Sequence, residues 1–208
     1  FVWEDGTLSN GPSFSDGDWG MRPYALNDQN MIVGQAIKYE SGGNRSFMYS
    51  QTTGLVDLGV LPGHSIPGYA IAVNRSGVIA GFEGMLGYTG NEAWIYKDGS
   101  KKSIGFLEDY DYSTALDIND HGLVVGKSQG YFDGLLYKHA FVYDTSAGMR
   151  DLNNMIVSAP EGLVLREAQR VNNNNTILCA GYDAQTQSYP SLYLFRDGTV
   201  THLGQGYL

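Results

Sequence analysis

Asp117-Ile118-Asn119-Asp120-His121-Gly122-Leu123-Val124-Val125-Gly126 is the stretch that decides the fold. An asparagine can bond its own backbone two residues on, and glycine three positions later tolerates the positive φ that closes a tight turn. With apolar runs on both sides, the segment predicts a β-hairpin. Three further copies stand elsewhere in the chain: Ala25-Leu-Asn27-Asp-Gln-Asn30-Met-Ile-Val-Gly34, Ala72-Val-Asn74-Arg-Ser-Gly77-Val-Ile-Ala-Gly81, and Arg170-Val-Asn172-Asn-Asn-Asn175-Thr-Ile-Leu-Cys-Ala-Gly181. The leading asparagines are 47, 45 and 53 residues apart. The fourth copy carries two extra residues before Gly181, which predicts a bulge or a shifted register there.

Each copy is followed by an aromatic-apolar-aromatic triplet: Phe47-Met48-Tyr49, Trp94-Ile95-Tyr96, Phe141-Val142-Tyr143 and Tyr193-Leu194-Phe195. A turn at Gly54, Gly99, Gly148 or Gly198 comes next, then a short strand. The chain begins with this second half alone, as Phe1-Val2-Trp3, Asp5-Gly6 and Thr7-Leu8. That opening in mid-strand predicts that an N-terminal portion precedes Phe1. Four-strand units at such a period predict an all-β fold, a propeller-like ring of about five blades with the first incomplete. A β-prism or sandwich would not require so regular a period. The whole chain, 1–208, reads as one repeat domain: a half unit 1–23, then units 24–68, 69–113, 114–166 and 167–208. The most helix-like stretch, Ser158 to Val171, is interrupted by Pro160 and Gly162.

Composition narrows the function. The 28 glycines among 208 residues fit a chain that turns often. Thirteen basic against 22 acidic residues leave a net charge of −9, which argues against nucleic acid as a partner. The pair Lys101-Lys102 reads as a solvated strand end. No apolar run approaches the ~20 residues of a membrane-spanning helix, so no membrane insertion is expected. Cys179 is the only cysteine, which excludes an internal disulfide and zinc sites built on CxxC pairs. It lies in an apolar run and reads as a small buried hydrophobe.

The third unit reads Ala115-Leu-Asp-Ile-Asn-Asp-His-Gly-Leu-Val-Val-Gly126, then His139-Ala140-Phe141-Val-Tyr, then Gly148-Met-Arg-Asp-Leu152; the first ends Asp57-Leu58-Gly59-Val60-Leu61-Pro62-Gly63. This resembles the HAF-repeat family of bacterial extracellular proteins over nearly the whole chain. The literal His-Ala-Phe triplet occurs once, with Arg-Ser-Phe47, Glu-Ala-Trp94 and Ser-Leu-Tyr193 in its place elsewhere. The resemblance implies secretion or surface display on a bacterium. It brings no defined activity and no catalytic motif. His139 reads as a structural residue at a strand start.

In an up-and-down four-strand unit, the 1–2 and 3–4 turns lie at one end, and the 2–3 loops and inter-unit links at the other. Here the first end is trimmed. The second carries long segments: loops 35–45, 82–92, 127–138 and 182–190, and links 9–23, 59–68, 106–114 and 153–167. Long loops on a rigid scaffold are where binding residues concentrate. Tyr39, Tyr88, Tyr131 and Tyr189 from the loops, with Trp19, His64, Tyr110 and Tyr112 from the links, form the candidate ligand-binding set. Aromatic rings beside Glu108 and neighbouring acids suit a saccharide, whose C–H face stacks on a ring while carboxylates take its hydroxyls; they equally suit a protein partner. Asp16 and Asp18, and Asp109 and Asp111, are weak candidates for Ca²⁺, since neither pair has the EF-hand spacing. No other cofactor is expected.

A glycosidase would need acids on several innermost strands, and Asp117 is the main one there. No Ser-His-Asp order, phosphate-binding glycine loop or HExxH motif occurs, and no catalytic residue is assigned. The expectation is therefore a non-enzymatic, secreted or surface-displayed binding module for a glycan or protein. The alternatives are a glycan-processing propeller enzyme and a structural coat protein that self-associates, or joins a larger assembly, through an open blade edge.

Overall fold

The computed structural model describes residues 2–4, 6–15, 19–38, 43–64, 66–84, 90–183 and 190–205. A two-stranded hairpin, β1 (Val2–Glu4) and β2 (Thr7–Ser9), opens the chain. Four antiparallel four-stranded meanders follow. The first sheet holds β3 (Trp19–Leu26), β4 (Ile32–Lys38), β5 (Gly43–Ser50) and β6 (Gly54–Asp57). The second holds β7 (Ile66–Val73), β8 (Ile79–Gly84), β9 (Asn91–Lys97) and β10 (Ser100–Gly105). The third holds β11 (Tyr112–Ile118), β12 (Val124–Phe132), β13 (Leu135–Asp144) and β14 (Gly148–Asp151). The fourth holds β15 (Val164–Val171), β16 (Ile177–Tyr182), β17 (Ser191–Arg196) and β18 (Thr199–Gln205). The unit boundaries read from sequence fall a few residues inside the first strand of each sheet. The stretch that looked most helical contains an isolated bridge at Ser158 and then β15; the described helical structure is a single 3-10 turn, Leu152–Met155.

Hydrophobic alternation explains how the sheets stack. In the second, third and fourth sheets the aromatics of the third strand face the sheet before, and in the first three the residue between them faces the sheet after. Three interfacial cores result. Val33, Leu58 and Leu61 meet Ala70, Ile79 and Trp94. Ala80, Ile95 and Ile104 meet Ala115, Val124 and Phe141. Val125, Ala140 and Val142 meet Leu165, Ile177 and Tyr193. The chain thus has no single centre; its apolar free energy is spread over three repeats of one contact. Successive sheets pack in chain order, as in a propeller, and the described sheets form an open series rather than a closed ring.

Local geometry follows from the turn residues. The glycine or asparagine closing each 1–2 turn is left-handed: Asn30 at φ 58°, Gly77 at 80°, Gly122 at 81° and Asn175 at 57°. A second glycine station depends on close approach instead. The first strand bulges opposite Gly34, Gly81 and Gly126, between Pro23 and Ala25, Ala70 and Ala72, and Ala115 and Asp117. A Cβ at Gly126 would lie 2.0 Å from the Thr114 carbonyl oxygen and 2.8 Å from the Phe141 ring.

The fourth sheet departs from this in an informative way. Register places Cys179, opposite Ala168 and Tyr193, at the station that glycine holds elsewhere. Gly181 faces a second bulge between Leu165 and Glu167. The extra residues therefore add a bulge, and Gly181 is not the counterpart of Gly126. Cys179 is fully buried, and burial pushes its thiol up to about 12, so it acts as a small apolar filler.

One charged residue also falls where sequence did not place it. Lys101 is buried rather than solvated, because it points inward on β10 while Lys102 points out. Its ammonium is 2.5 Å from Glu83 Oε1, 2.6 Å from the Gly59 carbonyl and 4.2 Å from the Trp94 ring centre. Burial lowers its pKa, against the pull of Glu83.

Candidate functional site

The two ends of the sheets are built differently, and the trimmed end is a lattice of asparagines. Asn119 Oδ1 accepts from the backbone of His121 at 3.1 Å and of Leu123 at 3.0 Å, which fixes its own turn. Its Nδ2 then donates to the Asn172 carbonyl of the next sheet at 3.0 Å. Asn27 donates likewise to the Asn74 carbonyl at 2.9 Å, and Asn74 to the Asn119 carbonyl at 3.1 Å. A parallel set runs through the next position, where Asp120 accepts from the Arg75 N–H at 2.8 Å and Asn173 accepts from the Asp120 N–H at 2.9 Å. The local half of this pattern was readable in the sequence; the link between sheets depends on how they stack.

The opposite end is irregular. The expected loop 127–138 is mostly strand, because β12 and β13 continue outward to a two-residue turn. Asp133 and Gly134, at φ 50° and 76°, give the left-handed pair of a type I′ hairpin. The projecting arms expose Tyr131, Phe132, Leu135, Leu136 and Tyr137; Leu135 is 61% accessible and Tyr131 55%. Beside the hairpin lies a cavity of ≈ 370 Å³, lined by Leu107, Glu108, Tyr110, Met149, Arg150, Asp151, Asn154 and Met155.

Tyr110 joins the two features. Its ring centre is 6.2 Å from Phe132 and 5.4 Å from the His139 ring. Burial and the charges of Asp151 and Asp109 raise its hydroxyl pKa, so at neutral pH it is an O–H donor. His139 Nδ1 is 2.6 Å from Asp151 Oδ2, while Asp151 Oδ1 accepts from the backbone and side chain of Asn153 at 2.8 and 2.9 Å. Burial alone would raise the Asp151 carboxyl; the bonds from His139 and Asn153 outweigh it and hold the pKa below the ordinary value.

The same register position carries a polar pair in other sheets: Arg45 with Asp57 at 3.3 Å, and Glu92 with Ser103. His139 is thus one member of a recurring cross-strand brace, and Asp151 its partner on the last strand. Arg150, Asp151 and Asn154 went unread as site residues. The signal available was the repeated aspartate before leucine, in Asp57-Leu58 and Asp151-Leu152.

The remaining candidates disperse. Tyr39, Tyr88, Tyr189, Asp16 and Asp18 lie outside the described residues. Trp19 stands on the first sheet beneath Arg45, 4.4 Å from its guanidinium carbon, with Phe14 edge-on at 5.6 Å. His64 is largely buried and bonds Glu92 at 2.8 Å, which ties the link 59–68 to β9. The Tyr112 ring lies against Gly90, where a Cβ would be 1.7 Å away. Asp109 and Asp111 belong to no group of three or more His, Cys, Asp or Glu among the described residues able to hold a metal ion. On the innermost strands, Asp117 accepts from the Val171 N–H at 2.8 Å and Glu167 pairs with Lys127 at 2.7 Å, so both acids join the third sheet to the fourth. No helix among the described residues is long and apolar enough to cross a membrane.

Residues 65–178 match the model of a family described as "Protein of unknown function (DUF3466)". No curated protein matches the chain. Among solved structures, TolB from Acinetobacter baumannii aligns with a TM-score of 0.57 at 13% identity, over 91% of this chain and 45% of that one. The chain spans less than half the length of that structure, and at this identity the likeness is one of β-propeller fold.

Proposed function

This chain belongs to the DUF3466 family, and we propose that its long-loop end is a non-enzymatic binding surface for glycans, centred on Tyr110. The observation that carries the reading is the Tyr110 cavity, in which a ring stands beside Glu108, Arg150, Asp151 and Asn154. A volume of ≈ 370 Å³ falls at the small end of ligand sites and suits one or two sugar rings. The ring offers a stacking face, the carboxylates accept from sugar hydroxyls, and the Arg150 and Asn154 side chains donate to them. The His139–Asp151 and Asp151–Asn153 bonds hold the aspartate in place before ligand arrives, which lowers the ordering cost of binding. The His-Ala-Phe resemblance supports a place outside the bacterial cell, and the stacked sheets support a ring of five blades.

A glycan array probed with the protein, followed by titration of the best hit, tests the reading. Saturable binding that falls at least tenfold in Tyr110→Ala is expected. An array without hits, or a Tyr110→Ala variant that binds as the parent does, overturns it. A protein ligand is the second reading, favoured by the apolar tip Tyr131, Phe132, Leu135 and Leu136. Retention of a protein partner that is lost in Tyr131→Ala, with no glycan bound, would select it.

A further inference from the structure

The β12–β13 arm has two faces, and only one of them looks onto Tyr110. Strand alternation puts Phe132, Tyr137 and His139 on that side. Lys127, Gln129, Tyr131, Leu136 and Lys138 share the other side. There Lys138 stands opposite Gln129 and diagonal to both Lys127 and Tyr131, within reach of long side chains. β15 packs against β12 and β13 and brings Glu167 to Lys127.

Three cations meet at this place around one carboxylate. Glu167 Oε2 bonds Lys127 Nζ at 2.7 Å and Oε1 accepts from Gln169 Nε2 at 3.4 Å, so both oxygens are engaged. Lys138 feels the attraction of Glu167, yet among the described residues it makes no ion pair or hydrogen bond of its own. Partial burial, and then the repulsion of Lys127 and Arg166, lowers its pKa. Arg166 sits in the second bulge of β15, between Leu165 and Glu167, a device that re-aims a side chain. Its guanidinium carbon lies over the Tyr182 ring, 5.2 Å from the centre. The next acid along the chain, Asp183, is buried and accepts from the Tyr193 hydroxyl at 2.9 Å. Residues 184–189, Ala-Gln-Thr-Gln-Ser-Tyr, bring no charge. In a chain of net charge −9, cations gathered in surplus over their acids cost the fold stability, which is the mark of a binding site.

We propose that this face of the arm binds an acidic saccharide, a sugar ring that carries a carboxylate or a sulfate. The oxyanion accepts from the Lys138 ammonium and the Arg166 guanidinium. The Tyr131 ring, exposed on the same face, takes the C–H face of the sugar. That ring favours a saccharide over an acidic peptide, and the acidity of the whole chain opposes nucleic acid. The Tyr110 cavity lies across the arm, where Glu108 and Asp151 repel an anionic sugar. The two sites therefore share no residue, and each reading can fail alone.

The full chain is titrated by calorimetry with a uronic acid tetrasaccharide, its carboxyl-reduced neutral form, a sulfated neutral tetrasaccharide and tetraglutamate. One acidic saccharide is expected to bind about tenfold or more tighter than the neutral form, and to weaken as salt is added. The tighter of the two identifies the oxyanion. Lys138→Gln should lose that affinity about tenfold or more, with Tm equal to or above the parent's because a repelled cation is gone. Tyr110→Ala should bind the acidic probe as the parent does. Acidic and neutral probes bound alike, neither acidic saccharide bound, or a Lys138→Gln variant that binds as the parent does overturns the proposal. Loss of Tm together with affinity in Lys138→Gln also overturns it, by making the lysine structural. Tetraglutamate bound as tightly as the saccharides overturns it in favour of an acidic peptide.

Discussion

The trimmed end and the long-loop end of this molecule are made by the same four-strand unit and have opposite characters. At the trimmed end every sheet repeats one turn, and in the first three sheets the asparagine that opens it also reaches the next sheet. At the long-loop end the described connections differ: one extends as an apolar hairpin, and one link carries Tyr110 beside a polar cavity. Where the residues repeat, they hold sheet to sheet; where they diverge, the scaffold is free to carry a ligand site. The difference predicts that stability and binding respond to different halves of the structure.

The largest effect is expected from the glycine that lets the bulged strand approach. Gly126→Ala puts a methyl 2.0 Å from the Thr114 carbonyl, and should destabilise the fold by about 3 kcal/mol, at the upper end of overpacking costs. Chemical denaturation measures it, and a cost below about 1 kcal/mol would mean the bulge can relax. Asn119→Ala should follow at about 2–3 kcal/mol, since it leaves two turn N–H groups without their partner and removes the bond to the next sheet. Asn172→Ala, which removes only the turn bonds, should cost about 1 kcal/mol less. Equal losses for the two would show that the link between sheets contributes nothing.

The smallest effect belongs to the long-loop end. Because the folded Asp151 carboxyl sits below its ordinary value, its contribution is present above the unfolded carboxylate pKa and is lost as pH falls through the folded one. Asp151→Asn should therefore lower stability by about 1 kcal/mol at neutral pH and by progressively less below about pH 4. Melting curves across that range check it; a gap that widens in acid would reverse the sign.

Much of the trimmed end was legible because its determinants are local. Asn119 and Gly122 fix their turn within four residues, and the period of the turns gives the sheets. The cross-sheet bonds were not legible, since the Asn119 acceptor is set by stacking and lies 53 residues away. Cys179 shows a subtler failure: glycine was followed by identity, whereas the station is defined by register, opposite Ala168. Lys101 was read from its neighbour Lys102, although strand alternation sends the two to opposite faces. At the long-loop end, Asp133-Gly134 between apolar arms is a strong hairpin signal that was absorbed into an expected loop. The cavity could not be read at all, because Tyr110, Arg150 and Asn154 meet only through folding.

The central claim, that one end holds the fold and the other holds the ligand, is tested by a crossed pair of variants. Tm and affinity for the best array glycan are measured on Asn119→Ala and Tyr110→Ala. Asn119→Ala is predicted to lower Tm and leave affinity within twofold, while Tyr110→Ala lowers affinity at least tenfold and leaves Tm nearly unchanged. If both variants lose stability and binding together, or if Tyr110→Ala binds as the parent does, the division between the two ends is contradicted.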